Sequence, residues 1–354
     1  MRKKILAELT AGLIALGSFG IADAMPRDQI AKIQVKKAKD VKYWTKGSVA
    51  NQKLVNFVTD VTNKNSKNFI PVEDRLAVFD MDGTILCETA PYPFEGMLWI
   101  NRALYDENYT ASESDRNFAI GLEKFIKTKN PNDIKGSSEN RQGSVFVGMT
   151  NDEYATYVEK FMQKSVDGLS NLNFGESFYL PMIEVIKYLQ ANDFKVYIIS
   201  GSDRNLVRIL VCDMLKIPTN QIIGTDMKIL ASNQGDKDGR KYNYREDDYL
   251  IRGEFFFKNL NMNKVVGIAR EIGKQPVLAF GNSDGDTSML NYAINGNKYK
   301  SLSFFLICDD MEREFGDIKK ADKCIKLADN NGWIKISMRD DFKTIYGDNV
   351  KRSK

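Results

Sequence analysis

The chain contains several short apolar runs that end in polar or small residues, which is the pattern of buried parallel strands. Between these runs, apolar residues recur at helical spacing, as in residues 181–193, where Pro181 suits the first turn of a helix. The predicted strands begin near Leu76, Lys195, Pro276 and Ser303. Strands that alternate with helices in this way are typical of a doubly wound α/β fold with a Rossmann-like parallel sheet.

One long insertion interrupts this alternation, between Cys87 and about Leu180. Thr150 and Glu153 have the spacing of a capping box at the start of one of its helices. The insertion contains three segments with helical patterns, at residues 93–108, 115–130 and 150–165. These patterns predict an inserted helical cap domain that spans residues 87–180.

A second excursion from the core, residues 225–257, consists of short alternating runs and predicts a hairpin flap. Its polar turn is not an EF-hand loop, because Arg240 and Lys241 stand where an oxygen ligand and the turn glycine belong. The other predicted domain limits are a core of residues 25–86 and 181–345 and a tail of residues 346–354.

The first 24 residues combine a basic start, a short apolar stretch and small residues at Ala22 and Ala24. This arrangement predicts a secretory signal peptide at residues 1–24, and hence a periplasmic or secreted mature protein. The apolar stretch is short and rich in small residues, so we expect no stable membrane span in the mature form. An ordinary N-terminal helix is the alternative interpretation.

Histidine is absent from the 354 residues, which excludes Ser-His-Asp and Cys-His catalysis and every histidine-ligated metal site. Acid–base chemistry near neutral pH then falls to carboxylates, lysine, tyrosine or cysteine. The net charge of +4 is small for this length, so we do not expect nucleic acid as a partner. The four cysteines have no C-x-x-C spacing and predict neither a zinc site nor a redox motif.

Two aspartates, Asp80 and Asp82, directly follow the apolar run at residues 76–79. In an open α/β sheet, ligands bind in the crevice beyond the carboxyl ends of the strands. Because side chains alternate along an extended chain, the two carboxylates can face one reacting centre. Two close carboxylates repel each other unless a cation or a shared proton intervenes. The pair therefore indicates metal binding and catalysis, and a turn with a helix cap is the structural alternative.

The aspartate pair belongs to a set of motifs that follow one another along the chain. The set consists of FDMDGT at residue 79, IISGS at residue 198, Lys264 at the head of a later helix, and FGNSDGDTSM at residue 280. In this order and spacing, the motifs resemble those of the haloacid dehalogenase superfamily. More closely, the chain resembles the phosphoserine-phosphatase-like branch, which has a helical cap after the first motif, and its exported bacterial phosphorylcholine-phosphatase-like members. The resemblance covers roughly residues 40–345, over which strands and helices alternate around the insertion.

The resemblance implies roles for the motif residues. Asp80 would be the nucleophile and would form an aspartyl-phosphate. Asp82 would protonate the leaving oxygen and then take a proton from the attacking water. The dipeptide Ser200–Gly201 would bind the phosphoryl oxygens, and Lys264 would add positive charge there. Lys258 lies nearby in the sequence and is the alternative to Lys264.

Attack of a carboxylate on a phosphoryl group requires a cation that neutralises charge, and the resemblance implies Mg²⁺ as the cofactor. The implied ligands are Asp80, the backbone carbonyl of Asp82, Asn282 and Asp286. Asn282 departs from the acidic residue that is usual at this position of the family, and its amide oxygen would bind the ion with less charge. Asp284 is the alternative ligand.

Substrate choice is expected to lie in the cap. Glu88 could pair with a substrate ammonium, and Tyr92 and Trp99 could hold a quaternary ammonium by cation–π contact, unless these rings form the core of the cap. The sequence thus predicts a Mg²⁺-dependent phosphatase acting on a small-molecule phosphomonoester, which could carry an amine. A phosphotransferase of the same fold and a non-catalytic phosphate-binding module are the alternatives.

Overall fold

The computed structural model of the protein describes residues 24–134 and 141–353. Its strands are β1 (Leu76–Phe79), β2 (Leu169–Ser170), β3 (Lys195–Asp203), β4 (Ile222–Ala231), β5 (Leu250–Phe257), β6 (Leu278–Gly281), β7 (Leu302–Ile307), β8 (Ile334–Ser337) and β9 (Lys351–Arg352). Seven strands form one sheet in the order β5-β4-β3-β1-β6-β7-β8, and β2 pairs with β9. All neighbours in the large sheet are parallel except β4 and β5. This topology confirms the predicted doubly wound α/β core.

The helices of the described residues are α1 (Arg27–Ala31), α2 (Val49–Thr62), α3 (Phe94–Tyr105), α4 (Glu113–Thr128), α5 (Asn151–Met162), α6 (Leu180–Ala191), α7 (Arg204–Leu215), α8 (Met262–Gly267), α9 (Thr287–Ile294), α10 (Ile318–Asn331) and α11 (Met338–Asp341). Both faces of the large sheet are covered by helices. Ala77 and Phe79 of β1 belong to one hydrophobic cluster, with residues of α2, α6 and α7, whereas Val78 belongs to another, with residues of α9 and α10. Because side chains alternate along a strand, these two clusters are the two faces of the sheet.

The strands that the apolar runs predict lie at the centre of the sheet. Every residue of β1 and of β6 is buried, as expected for strands covered on both faces. The edge strand β8 is not among the predicted strands. Of its four residues only Ile336 is buried, so this strand lacks the continuous apolar run that marks the others.

The insertion after the first motif is helical, as predicted, and contains α3, α4 and α5. Its core includes the rings of Phe94, Phe161 and Phe174, whose centroids lie 4.8–5.8 Å apart. The predicted capping box is confirmed, because Glu153 N donates to Thr150 Oγ1 at 3.1 Å and Thr150 N donates to Glu153 Oε2 at 2.8 Å. The domain limits given above stay predictions.

The predicted hairpin is formed by β4 and β5, and it also contacts the cap. Gly148 N donates to the carbonyl of Arg252, and Arg252 N donates to the carbonyl of Met149, both at 2.8 Å. The Arg252 guanidinium lies 3.8 Å from the ring centroid of Tyr154 in the cap and pairs with Asp203 of the core. The hairpin therefore extends the sheet and joins it to the cap.

Residues 1–23, which hold nearly all of the predicted signal peptide, lie outside the described residues. Within residues 24–134 and 141–353, no helix is long and apolar enough to cross a membrane. The cysteines at positions 87, 212, 308 and 324 are free thiols.

Candidate active site

Three neighbouring parallel strands, β3, β1 and β6, end at the same edge of the sheet and carry the predicted motifs. Asp80 follows β1 directly, and its backbone N–H donates to the Phe280 carbonyl at 2.9 Å. Asn282 follows β6, and the Ser200–Gly201 dipeptide lies near the end of β3. The fold thus brings motifs that are about 80–200 residues apart in sequence to one crevice, as expected for an open α/β sheet.

Lys264 joins two of the buried carboxylates in this crevice. Its Nζ lies 2.6 Å from Asp80 Oδ1 and 2.6 Å from Asp286 Oδ1, and the lysine side chain is 1% exposed. Burial lowers the pKa of Lys264, but the carboxylates of Asp286 and Asp80 outweigh this effect and hold the pKa above its ordinary value. Burial, and next the charge of Asp286, raise the pKa of Asp80. One ammonium therefore pairs with two carboxylates, so this group of three side chains carries a net negative charge when all three are ionised.

Asp82 is held by a serine that the sequence analysis did not single out. Ser202 Oγ donates to Asp82 Oδ2 at 2.7 Å, and the other carboxylate oxygen, Oδ1, is buried without a hydrogen-bond partner in the structure. Burial raises the pKa of Asp82 to about 6, although the Ser202 hydrogen bond opposes the shift. A carboxyl group with such a pKa can both donate and accept a proton near neutral pH.

The loop after β6 is folded around Asp286. Asp286 Oδ2 accepts from the backbone N–H groups of Asn282 and Ser283, at 3.0 and 3.1 Å. Thr84 connects this loop to the first motif, because its Oγ1 lies 3.2 Å from Asn282 Oδ1 and 3.4 Å from Asp80 Oδ2. The amide oxygen of Asn282 and a carboxylate oxygen of Asp80 thus lie on either side of one hydroxyl.

The chemistry of these groups fits a hard divalent cation. Among the described residues, no group of three or more His, Cys, Asp or Glu side chains is arranged as metal ligands. However, Asp80 and Asp286 share one ammonium, that of Lys264, and Asp82 Oδ1 is buried without a hydrogen-bond partner among the described residues. Oxygen donors with excess negative charge are what Mg²⁺ prefers. Asp80, Asn282 and the backbone carbonyl of Asp82 are the groups that would hold it.

Asp286 and Asp284 are the other two predicted metal ligands, and the structure places them differently. Both carboxylate oxygens of Asp286 already accept hydrogen bonds, so its role as a ligand stays a prediction. The alternative ligand Asp284 is exposed, whereas Asn282 is only 5% exposed and lies against the first motif. The arrangement therefore favours Asn282 over Asp284.

Gly83 is the position at which the first motif passes closest to Asn282. The residue has a φ of +75°, and a Cβ built on it would lie 2.0 Å from Asn282 Nδ2 and 2.5 Å from Glu88 Cδ. We expect Gly83→Ala to lower the free energy of unfolding by about 2–5 kcal/mol, the sum of left-handed backbone strain and overpacking. The added Cβ should also displace the Asn282 side chain. Urea unfolding measures the loss of stability.

Gly273→Ala is the matched control, because Gly273 has a similar φ of +69° but no atom within 4 Å of the added Cβ. This variant should lose only the backbone contribution, about 1–2 kcal/mol. Equal losses of stability in the two variants would mean that the close approach to Asn282 does not affect the free energy of unfolding.

The phosphate-binding predictions are only partly reflected in the geometry. Gly201 lines the cavity next to the aspartates. Ser200 is fully buried, and its Oγ accepts a hydrogen bond from the backbone N–H of Ser202 at 3.0 Å. The serine that lines the cavity is therefore Ser202 and not Ser200. Lys258 donates to the Gly201 carbonyl at 2.8 Å, whereas Lys264 contacts the nucleophile candidate. The geometry thus favours Lys264 over Lys258 as the cation beside Asp80.

A cavity of about 900 Å³ extends from the aspartates and is also lined by residues of the cap and of β5. The predicted substrate residues Glu88, Tyr92 and Trp99 all line it. The Glu88 carboxylate is already paired, since Oε1 accepts from Asn282 Nδ2 at 2.9 Å and from Lys320 Nζ at 3.0 Å. Its predicted role as partner of a substrate ammonium is therefore not supported by the geometry.

A further cavity residue, Glu95, is one that the sequence did not indicate. Glu95 Oε1 accepts the backbone N–H of Asp203 at 3.0 Å, and Glu95 Oε2 accepts from Gln142 at 2.5 Å. Burial raises the pKa of Glu95 to about 7. Glu95 lies in the first turn of α3, where an acidic residue is usual for any helix, so the sequence carries no signal that sets it apart.

Comparison with known proteins gives matches among solved structures only; no family model and no curated protein matches the chain. A conserved protein of unknown function from Anaerococcus prevotii DSM 20548 is 14% identical, with a TM-score of 0.50 over 81% of this chain and 91% of that chain. Cytosolic 5′-nucleotidase IIIB bound to cytidine is 12% identical, with a TM-score of 0.47 over 82% of this chain and 86% of that chain.

A phosphoserine phosphohydrolase-like protein from Francisella tularensis subsp. tularensis SCHU S4 is also matched, at 12% identity and a TM-score of 0.36, over 66% of this chain and 87% of that chain. At such identities the likeness is one of fold. The structure itself places the motifs in the arrangement that the sequence resemblance implies, on β1, at the end of β3, on α8 and after β6. The doubly wound α/β fold that the resemblance implies is thus confirmed, and membership of the haloacid dehalogenase superfamily stays a prediction.

Proposed function

We propose that the protein is a Mg²⁺-dependent phosphomonoester hydrolase that acts through an aspartyl-phosphate on Asp80. The observation that carries the proposal is the position of Asp80, which lies at a strand end beside Lys264 and lines the same cavity as Asp82. The second aspartate has a different environment, since it is bound by Ser202 and not by a cation. Two carboxyl groups in different environments suit the separate roles of nucleophile and proton carrier.

In the proposed reaction, a carboxylate oxygen of Asp80 attacks phosphorus while the bond between phosphorus and the ester oxygen breaks. Asp82 gives its proton to the leaving oxygen, so the alcohol departs neutral. Asp82 then takes a proton from a water molecule, which attacks the phosphorus of the aspartyl-phosphate and releases inorganic phosphate and the Asp80 carboxylate. Lys264 stabilises negative charge near Asp80 throughout. Bound Mg²⁺ would supply charge neutralisation for the phosphoryl oxygens.

The cellular setting is part of the same proposal. The N-terminal pattern supports export and a periplasmic or secreted mature enzyme. The substrate is a small-molecule phosphomonoester, since the reacting groups line a cavity and the chain has little net positive charge for binding a nucleic acid.

The function is tested with a panel of phosphomonoesters, using the protein without residues 1–24, with Mg²⁺ and with EDTA. We expect Mg²⁺-dependent release of alcohol and free phosphate in equal amounts. A deficit of free phosphate would indicate transfer to another acceptor, and thus a phosphotransferase. Binding of phosphate esters without any turnover would indicate a non-catalytic module and refute the proposal.

Asp82→Asn should separate the two chemical steps. It keeps the nucleophile but removes the proton carrier, so a substrate with a good leaving group can still phosphorylate Asp80 while hydrolysis of the phosphoenzyme becomes slow. We expect steady-state turnover of p-nitrophenyl phosphate to fall by ~10²- to 10⁴-fold. An early burst of nitrophenol and an added phosphoryl group in the intact mass should accompany this loss.

Ser202→Ala is the matched control for this variant, because it removes the hydrogen bond to Asp82 and leaves the carboxyl group in place. It should lower turnover by less than Asp82→Asn and should not accumulate phosphoenzyme. A label found on a residue other than Asp80 would exclude the proposed intermediate.

A further inference from the structure

The cavity beside the aspartates is much larger than a small leaving group requires. Its volume of about 900 Å³ lies near the upper end of the range of ~300–1,000 Å³ for pockets that enclose drug-sized ligands. An amino alcohol such as serine or choline would fill a minor part of it and leave the rest to water. The size of the cavity therefore favours a bulky leaving group.

Several aromatic rings line the cavity. Four aromatic side chains contribute to it, from the segment before α3, from α3 itself, from α4 and from β5: Tyr92, Trp99, Phe118 and Phe255. Three aliphatic side chains also line the cavity: Leu122, Ile134 and Leu260. Flat rings on a cavity wall suit a flat ring in the ligand, because aromatic stacking adds to the burial of apolar area.

The fold makes room for one of these rings. The Tyr92 ring lies over Gly96, one helical turn further along the chain, and a Cβ at Gly96 would lie 2.6 Å from two ring carbons, Cδ1 and Cε1. Any larger residue at position 96 would therefore displace the ring. The position of Tyr92 on the wall depends on this glycine.

The charged side chains of the wall are satisfied by protein groups. Glu88 pairs with Lys320, and Arg141 pairs with Asp115 at 2.8 Å. The Glu95 carboxylate accepts hydrogen bonds from Gln142 and from the backbone of Asp203. Lys258 donates to Gln142 at 2.5 Å and to the Gly201 carbonyl at 2.8 Å. Since these charges already have partners, an ammonium group on the leaving group would gain little here.

We propose that the substrate is a phosphomonoester with a planar, ring-bearing leaving group of about the size of a nucleoside. This inference rests on the proposed phosphatase function and names its substrate class. The phosphoryl group lies at the aspartates, and the ring packs against the aromatic wall, with Phe255 of β5 as a residue that determines specificity.

The kinetic test compares ring-bearing with small substrates. Adenosine and uridine 5′-monophosphates represent nucleosides, phenyl phosphate represents a ring without a sugar, and phosphoserine, phosphorylcholine and glycerol 3-phosphate represent small alcohols. We expect kcat/KM to be at least about 5-fold higher for the nucleotides than for the small esters, the minimum that loss of one stacking contact predicts. A similar preference for phenyl phosphate would identify the ring, and not the sugar, as the group recognised.

Phe255→Ala tests the wall directly, and Phe256→Ala is its matched control. Phe256 is the next residue of β5, is 67% exposed and does not line the cavity. Phe255→Ala should lower kcat/KM for the ring-bearing esters by about 5- to 100-fold, with little change for phosphoserine. Phe256→Ala should change neither class of substrate.

Binding to the Asp80→Asn variant separates this inference from the proposed function. Calorimetry should give tighter binding of adenosine 5′-monophosphate than of phosphoserine, and Phe255→Ala should remove the difference. If ring-bearing esters bind in this way but no ester is hydrolysed by the wild type, the proposed function fails and the ring-binding wall stands. If the small esters, or an acyl-glycerol phosphate, are bound and hydrolysed better than the ring-bearing esters, the substrate class is wrong and the phosphatase function stands.

Discussion

Asp80→Asn is expected to lower the turnover rate by ~10³-fold or more and to leave the fold intact. Its amide cannot attack phosphorus, and no phosphoenzyme should form. The side chain lies in the crevice, and Lys264 keeps its second partner, Asp286. Because burial and the charge of Asp286 raise the pKa of Asp80, ionised Asp80 disfavours the metal-free folded state at neutral pH. The free energy of unfolding in EDTA should therefore not fall, which urea denaturation measures.

Asp329→Asn provides the control for this experiment, because Asp329 is an exposed aspartate that pairs only with Lys335 on the surface. It should change neither activity nor stability measurably. Retention of wild-type turnover by Asp80→Asn, in a correctly folded preparation, would contradict the mechanism.

Lys264→Met is expected to have the largest effect on stability. Its removal leaves Asp80 and Asp286 buried without a cation, and breaking a buried ion pair costs about 3–5 kcal/mol. Methionine is similar in length, so loss of volume contributes little. The free energy of unfolding, measured in urea with EDTA, should fall by this amount, and activity should be lost as well because a positive charge beside the phosphoryl group is missing.

Lys258→Met is the matched control, since this lysine lies in the same cavity but donates to an amide and a backbone carbonyl. Its removal should cost only about 0.5–1.5 kcal/mol. Combining Lys264→Met with Asp286→Asn should restore part of the stability, because one unpaired charge is removed. If Lys264→Met unfolds at the same urea concentration as the wild type, the buried ion pairs do not stabilise the protein.

Several parts of the structure follow from local sequence alone. The apolar runs identify β1, β3, β6 and β7, since strands covered on both faces need continuous apolar sequence. The capping box at Thr150 is found because both of its hydrogen bonds join residues three positions apart. By contrast, the edge strand β8 has one buried residue and is defined by its pairing with β7, which no local pattern indicates.

The candidate site divides in the same way. Local sequence is enough to place Asp80 and Asp82 together at the end of a buried strand, because alternation along an extended chain is a local property. The contact of Lys264, and not of Lys258, with Asp80 depends on the folded chain, and so does the hydrogen bond from Ser202 to Asp82. These partners are 184 and 120 residues apart in the chain, so packing alone brings them together.

The environment of the cavity is likewise a property of the tertiary structure. The sequence placed Glu88 near the reacting groups, but its pairing with Lys320, 232 residues away, depends on how α10 packs beside the first motif. Phe255 lines the cavity because β5 contacts the cap, while its neighbour Phe256 is exposed. Local periodicity reports the spacing of side chains within one element. Which residues meet across elements is fixed by the burial of apolar surface and the pairing of buried charges in the folded chain.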